Sequence, residues 1–77
     1  MPALRKRSIL LAGHGTSLAL EPEFWAVLEA AAKAEGLSLA GLVGRIDARR
    51  GSRALASACR VYALQHSAHP GESRDPG

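Results

Sequence analysis

One short stretch decides what this chain can become. From residue 16 to residue 20 the sequence alternates Thr16, Leu18 and Leu20 with Ser17 and Ala19, so an extended strand here has one apolar face and one of small or polar side chains. Nothing after it reads as extended, and a lone strand cannot satisfy its own backbone N–H and C=O groups. It must therefore pair with the other extended piece, residues 8–11, across the break Ala12-Gly13-His14-Gly15, or with a second copy of itself, or with both.

Helical periodicity takes over at Pro22, which suits a first helical turn because its missing N–H costs nothing there, while Glu21 and Glu23 face the positive end of the helix dipole. Phe24, Leu28 and Ala31, flanked by Trp25, Val27 and Ala32, form an apolar stripe running to about Glu35, and Gly36 is the expected left-handed stop. Ser38 is an N-cap for a second helix with the stripe Leu39, Leu42, Val43 and Ile46, ended by Gly51. Gly44 falls inside that helix, where a close approach by another backbone would account for it. Ser52 can cap a third helix over 53–66, with Leu55, Ala58, Cys59 and Tyr62 as its stripe and Val61 and Leu64 alongside. Residues 1–66 thus read as one domain with a basic amino-terminal arm. Residues 67–77, with two prolines, two glycines and almost no apolar side chain, are expected to be disordered.

A chain of 77 residues has little surface to bury. The single cysteine, Cys59, permits no internal disulfide, and a zinc site would have to be built mostly from His14, His66 and His69, so oligomerisation is the expected source of extra stability. No cofactor or metal is expected. No apolar run is long enough for a membrane helix, and the group Ile9-Leu10-Leu11 after Arg5, Lys6 and Arg7 is too short for a secretory signal core, so the expected compartment is the cytoplasm. The formal charge of +3 is unevenly placed. One basic cluster is Arg5, Lys6 and Arg7, and a second is Arg45, Arg49, Arg50 and Arg53, with Glu21, Glu23, Glu29 and Glu35 between them. That segregation suggests an anionic partner for the basic clusters.

The run Thr16-Ser17-Leu18-Ala19-Leu20-Glu21, then Phe24-Trp25, Gly36-Leu37-Ser38-Leu39, Leu42-Val43, Ile46-Asp47, Ser57-Ala58 and Arg60-Val61 resembles a bacterial family of ribbon-helix-helix DNA-binding proteins over about residues 6–65. That family in turn is similar to the Arc and methionine repressors in its order of strand, helix, Gly-x-Ser and helix. The resemblance implies a mainly α fold with a short β-ribbon and a third helix. It implies an intertwined homodimer in which one strand from each chain forms an antiparallel ribbon lying in the major groove of double-stranded DNA, one of the few shapes that groove admits.

Carried onto these residues, the resemblance makes Gly15, Ser17 and Ala19 the outward, DNA-facing positions and Thr16, Leu18 and Leu20 the core-facing ones. Only Ser17 among the outward three can hydrogen-bond a base edge through its side chain, so His14 and the arm Arg5-Lys6-Arg7 are expected to supply further contacts. The free amides of Leu39 and Ala40 behind Ser38 are expected to hold a phosphate oxygen, with Arg53 adding sequence-independent attraction.

The expected function is that of a transcriptional regulator, a repressor in the sense of its relatives, with no enzymatic activity and no small-molecule substrate. Two alternatives stay open. One is an antitoxin whose carboxyl-terminal segment binds a toxin, and the other a dimerisation module without DNA binding, kept open by the small outward residues. Trp25, at helical spacing from Leu28 and Ala32, is expected in the core. Asp47 and Arg60 are expected to form an ion pair between the second and third helices. The chain is expected to be too small to enclose a ligand pocket of about 300 to 1,000 Å³.

Overall fold

The computed structural model describes residues 3–67. The order is β1 (Arg5–Leu11), β2 (His14–Leu20), α1 (Pro22–Ala34), α2 (Leu39–Arg49) and α3 (Leu55–Ser67). The tail expected to be disordered lies outside the described residues except for Ser67, which closes α3.

β1 and β2 form an antiparallel hairpin in register from Leu11 opposite His14 to Arg5 opposite Leu20. The break is tighter than the four residues expected. Ala12 and Gly13 alone make the turn, with φ of 50° and 83°, and His14 and Gly15 already belong to β2. Two positive φ values are what a two-residue type I′ turn demands, and such a turn matches the right-handed twist of the strands it joins. This local connection explains why β1 extends back to Arg5, beyond the expected 8–11. Residues 5–7 are consequently strand and not a loose arm. Within one chain β2 therefore takes the first of the pairings open to it, with residues 5–11 of the same protomer.

Ile9, Leu18 and Leu20 point from the hairpin into a core shared with Trp25, Leu28 and Ala32 of α1, Leu42, Val43 and Ile46 of α2, and Ala58, Cys59 and Ala63 of α3. α2 packs on β1, α3 on β2, and the three helices pack on one another. Of the stripes expected for α1 and α2, Trp25, Leu28, Ala32, Leu42, Val43 and Ile46 are buried, and Phe24, Val27, Ala31 and Leu39 are half-buried against them. In α3 the expected Ala58 and Cys59 are buried and Leu55 and Tyr62 pack against the core, but Ala63 is fully covered where Leu64, expected alongside, is 65% exposed.

The helix boundaries have local causes. Gly36 at φ 70° lets Leu37 N–H reach back to the carbonyl of Ala32 at 2.8 Å, which terminates α1. Ser38 Oγ accepts from the amide of Gly41 at 2.9 Å, as its sequence position predicts. Ser52, in contrast, does not cap α3. Arg53 N–H donates to the Arg50 carbonyl and Arg50 Nη1 donates to the Arg53 carbonyl, which keeps residues 51–54 outside the helix and starts α3 at Leu55. Among the described residues a side chain at Gly44 would meet only Leu11 Cδ2, at 4.0 Å, so no close backbone among them accounts for this glycine.

Candidate nucleic-acid interface

Residues directly opposite in an antiparallel pair share a face. With Ile9, Leu18 and Leu20 buried, the other face of the hairpin carries Lys6 beside Ala19, Ser8 beside Ser17 and Leu10 beside Gly15. Lys6, Ser8, Leu10, Gly15 and Ser17 are exposed and Ala19 is half-buried. The three outward positions expected on β2 are thus joined by a second row from β1. Ser8 and Leu10 do not stand out from sequence alone, although a two-residue turn placing Leu11 opposite His14 sets their phase. Leu10 is 63% exposed, a large apolar side chain standing in an otherwise small and polar surface.

The same alternation separates the basic residues near the amino terminus. Lys6 alone projects from the outward face. Arg7 turns toward α1, where Nη1 lies 2.7 Å from Glu29 Oε2 and the guanidinium carbon sits 4.8 Å from the centre of the Trp25 ring. Arg5 lies in the same phase as Arg7, and its carbonyl accepts from Trp25 Nε1 at 2.9 Å. His14 is exposed at the turn end of the hairpin, in the phase of Thr16 and not of Ser17. Trp25 is 4% exposed, so its ring offers no platform for a base.

Backbone groups follow the side chains. Leu11 and His14 close the turn as a hydrogen-bonded pair, so alternation aims the N–H and C=O of Thr16, Leu18 and Leu20 at β1 and those of Gly15, Ser17 and Ala19 at the outer edge of β2. Among the described residues that edge has no strand beside it. The amino end of α2, the helix that packs on β1, offers Leu39 and Ala40 amides, since the Ser38 side chain serves Gly41 and the Ser38 carbonyl serves Leu42. Arg53 is exposed in the turn between α2 and α3, next to Arg50.

The ion pairs differ from expectation in one respect. Arg60 does not reach Asp47. Its Nε donates to Glu21 Oε1 at 2.9 Å, while Asp47 receives Arg50 Nε at 2.6 Å. The i, i+3 spacing within one helical stretch gives Asp47 a nearer cation than any on α3. An open cleft of about 470 Å³ lies between the end of α1, α2 and α3.

Among the described residues no helix is long and apolar enough to cross a membrane, and no three His, Cys, Asp or Glu side chains cluster as metal ligands would. No curated protein and no solved structure gave a significant match. The sequence profile of the ribbon-helix-helix domain matches residues 4–67, from just before β1 to the last residue of α3. Domains of this kind typically bind DNA, as transcription regulators or antitoxins. With the match covering every strand and helix described, the chain belongs to the ribbon-helix-helix family.

Proposed function

We propose that this protein is a DNA-binding transcription regulator that works as a homodimer, with two copies of β2 joined edge to edge and their outward face set into the major groove. The observation that carries this reading is the outer edge of β2. Gly15, Ser17 and Ala19 direct three amides and three carbonyls at it, and their side chains are small enough for a flat, close approach.

Antiparallel pairing of that edge with its own copy satisfies these groups and gives the sheet order β1, β2, β2 and β1. At a spacing of about 4.8 Å between strands, the β2 strands lie about 2.4 Å and the β1 strands about 7 Å from the dyad. The major groove is about 12 Å wide, so β2 falls over its floor and β1 along its walls. Small residues then occupy the central strands, where Ser17 can hydrogen-bond a base edge, while the exposed Leu10 can meet a thymine methyl group from the flanking β1 strand. Lys6 and Ser8 occupy the flanking strands, where phosphates lie. The amides of Leu39 and Ala40 hold a further phosphate oxygen, which positions the protein without reading sequence.

Titration of the protein with random-sequence duplex DNA at several salt concentrations tests the reading. Affinity should fall steeply with salt, and Lys6→Ala should lower the logarithmic salt slope by about one for each phosphate that the lysine neutralises. A binding curve indifferent to salt, or no binding at low salt, rejects it.

A further inference from the structure

The cleft between the end of α1, α2 and α3 is lined by Arg45, Arg49, Arg50 and Arg53, with Tyr62 and His66 on its α3 side. Two of the four guanidiniums are held in place. Arg45 Nη1 lies 2.7 Å from Glu35 Oε1, and Arg50 is fixed from two directions, by Asp47 and by the Arg53 carbonyl. Arg49 and Arg53 have no carboxylate partner among the described residues. Four guanidiniums against the two carboxylates of Glu35 and Asp47 leave an excess of two positive charges around one recess.

The α3 side of the recess adds a phenol and two flat rings. Tyr62 and His66 stack with centroids 3.8 Å apart and planes inclined by 17°. His66 Nδ1 is engaged with the Tyr62 carbonyl at 2.9 Å, which leaves Nε2 as the ring's other polar atom. Burial, reinforced by Glu35 and opposed by Arg45 and Arg49, raises the pKa of the Tyr62 phenol, so its O–H remains a donor.

We infer that this cleft binds a small phosphate-bearing ligand of pyrophosphate or nucleotide size, held by Arg49 and Arg53 against the stacked Tyr62 and His66 rings. Guanidinium forks match phosphate oxygens in geometry as well as charge. A volume of about 470 Å³ lies within the usual range for small-molecule sites. The site uses none of the outward hairpin residues, so it is separate from the face proposed for DNA.

Calorimetric titration of the full chain with pyrophosphate, against sulfate at matched ionic strength, tests the assignment. Saturable binding of pyrophosphate well above sulfate is expected, and Arg49→Ala and Arg53→Ala should each weaken it by about tenfold. Both side chains belong to exposed residues, and unchanged circular dichroism would verify that the variants fold. Lys6→Ala should leave pyrophosphate binding intact. Absence of saturable binding, or equal binding of sulfate, overturns the inference. A duplex DNA arm separates the two phosphate sources. If Arg49→Ala weakens pyrophosphate binding by about tenfold and spares duplex binding, the small-ligand site stands. If it weakens both alike and duplex displaces pyrophosphate, the cleft is a DNA contact and the inference fails, while the proposed DNA-binding function survives.

Discussion

Arg60 on α3 donates through Nε to Glu21 Oε1, and Glu21 is the residue whose carbonyl starts α1 by accepting the amides of Phe24 and Trp25. One side chain therefore couples the third helix to the junction between the hairpin and the first. The Arg60 guanidinium also lies over the Phe24 ring, 5.8 Å from its centre. The hydrogen bond from Arg60 is the main reason the Glu21 carboxyl lies below the usual carboxylate pKa. A lowered pKa in the folded state means stability that is present above the unfolded value of 4.5 and lost as pH falls through the lower folded value.

Arg60→Met should accordingly melt at a lower temperature than the parent at neutral pH. The effect should be modest, because both side chains are partly exposed. Below pH 4.5 the two melting temperatures should converge as Glu21 protonates in the parent. Melts followed by circular dichroism across that range check it, and a gap that stays constant with pH would assign the loss to packing on Phe24 instead.

Trp25 ties β1 to the body of the protein through its indole N–H and its ring, which the Arg7 guanidinium covers. Trp25→Phe keeps most of the buried area and deletes the hydrogen bond to the Arg5 carbonyl. A cost of about 1 to 2 kcal/mol is expected in urea denaturation. The local signature should be faster hydrogen exchange at the amides of β1, with those in the middle of α1 changed only through global stability.

How much of this was legible in the sequence depends on whether the cause was local. Ser38, Gly36 and the stripe Leu42, Val43 and Ile46 act within a few residues of themselves, and each sits where the pattern predicts. Arg60 chose Glu21 over Asp47 because of how α3 crosses the start of α1, a distance of 39 residues that no spacing reveals. Arg7 turned inward for the same kind of reason, since Glu29 and Trp25 become its neighbours only when the hairpin lies on α1. The outward face was half legible. Gly15, Ser17 and Ala19 follow from alternation, whereas Lys6, Ser8 and Leu10 needed the turn to be known as two residues long.

Ala12 occupies the first position of that turn at φ 50°, where a residue with a Cβ is strained and asparagine or glycine is preferred. Ala12→Asn should therefore raise stability, by about 0.5 to 1 kcal/mol, with no change in the native contacts. Chemical denaturation of the two proteins measures it. A neutral or destabilising result would mean the turn is not of the I′ type.

Cys59 is fully covered, and its thiol pKa is pushed up to about 11, first by burial and then by Asp47, with Arg60 pulling weakly the other way. The folded thiol should react with an aromatic disulfide reagent only at the rate of unfolding. Because the folded pKa exceeds the unfolded value of 9.0, this group's contribution is complete below pH 9 and declines as pH rises toward 11. Cys59→Ala should lack this contribution to the alkaline decline, which melts on either side of pH 9 would compare. Rapid stoichiometric labelling of native protein at mildly alkaline pH would contradict the burial.

Ser17 separates the hairpin inside one chain from the dimer proposed around it. Its N–H points to the outer edge of β2, so the bond that Ser17→Pro deletes is not one of the hairpin's own. Proline is tolerated on an edge strand when its missing donor faces solvent, and it blocks a second strand from docking there. The substituted chain should keep its helical circular dichroism, sediment as a monomer where the parent sediments as a dimer, and bind duplex DNA at least about tenfold more weakly. If it remains dimeric and binds DNA as the parent does, the two protomers meet somewhere other than β2, and the groove-facing sheet has to be rebuilt from a different edge.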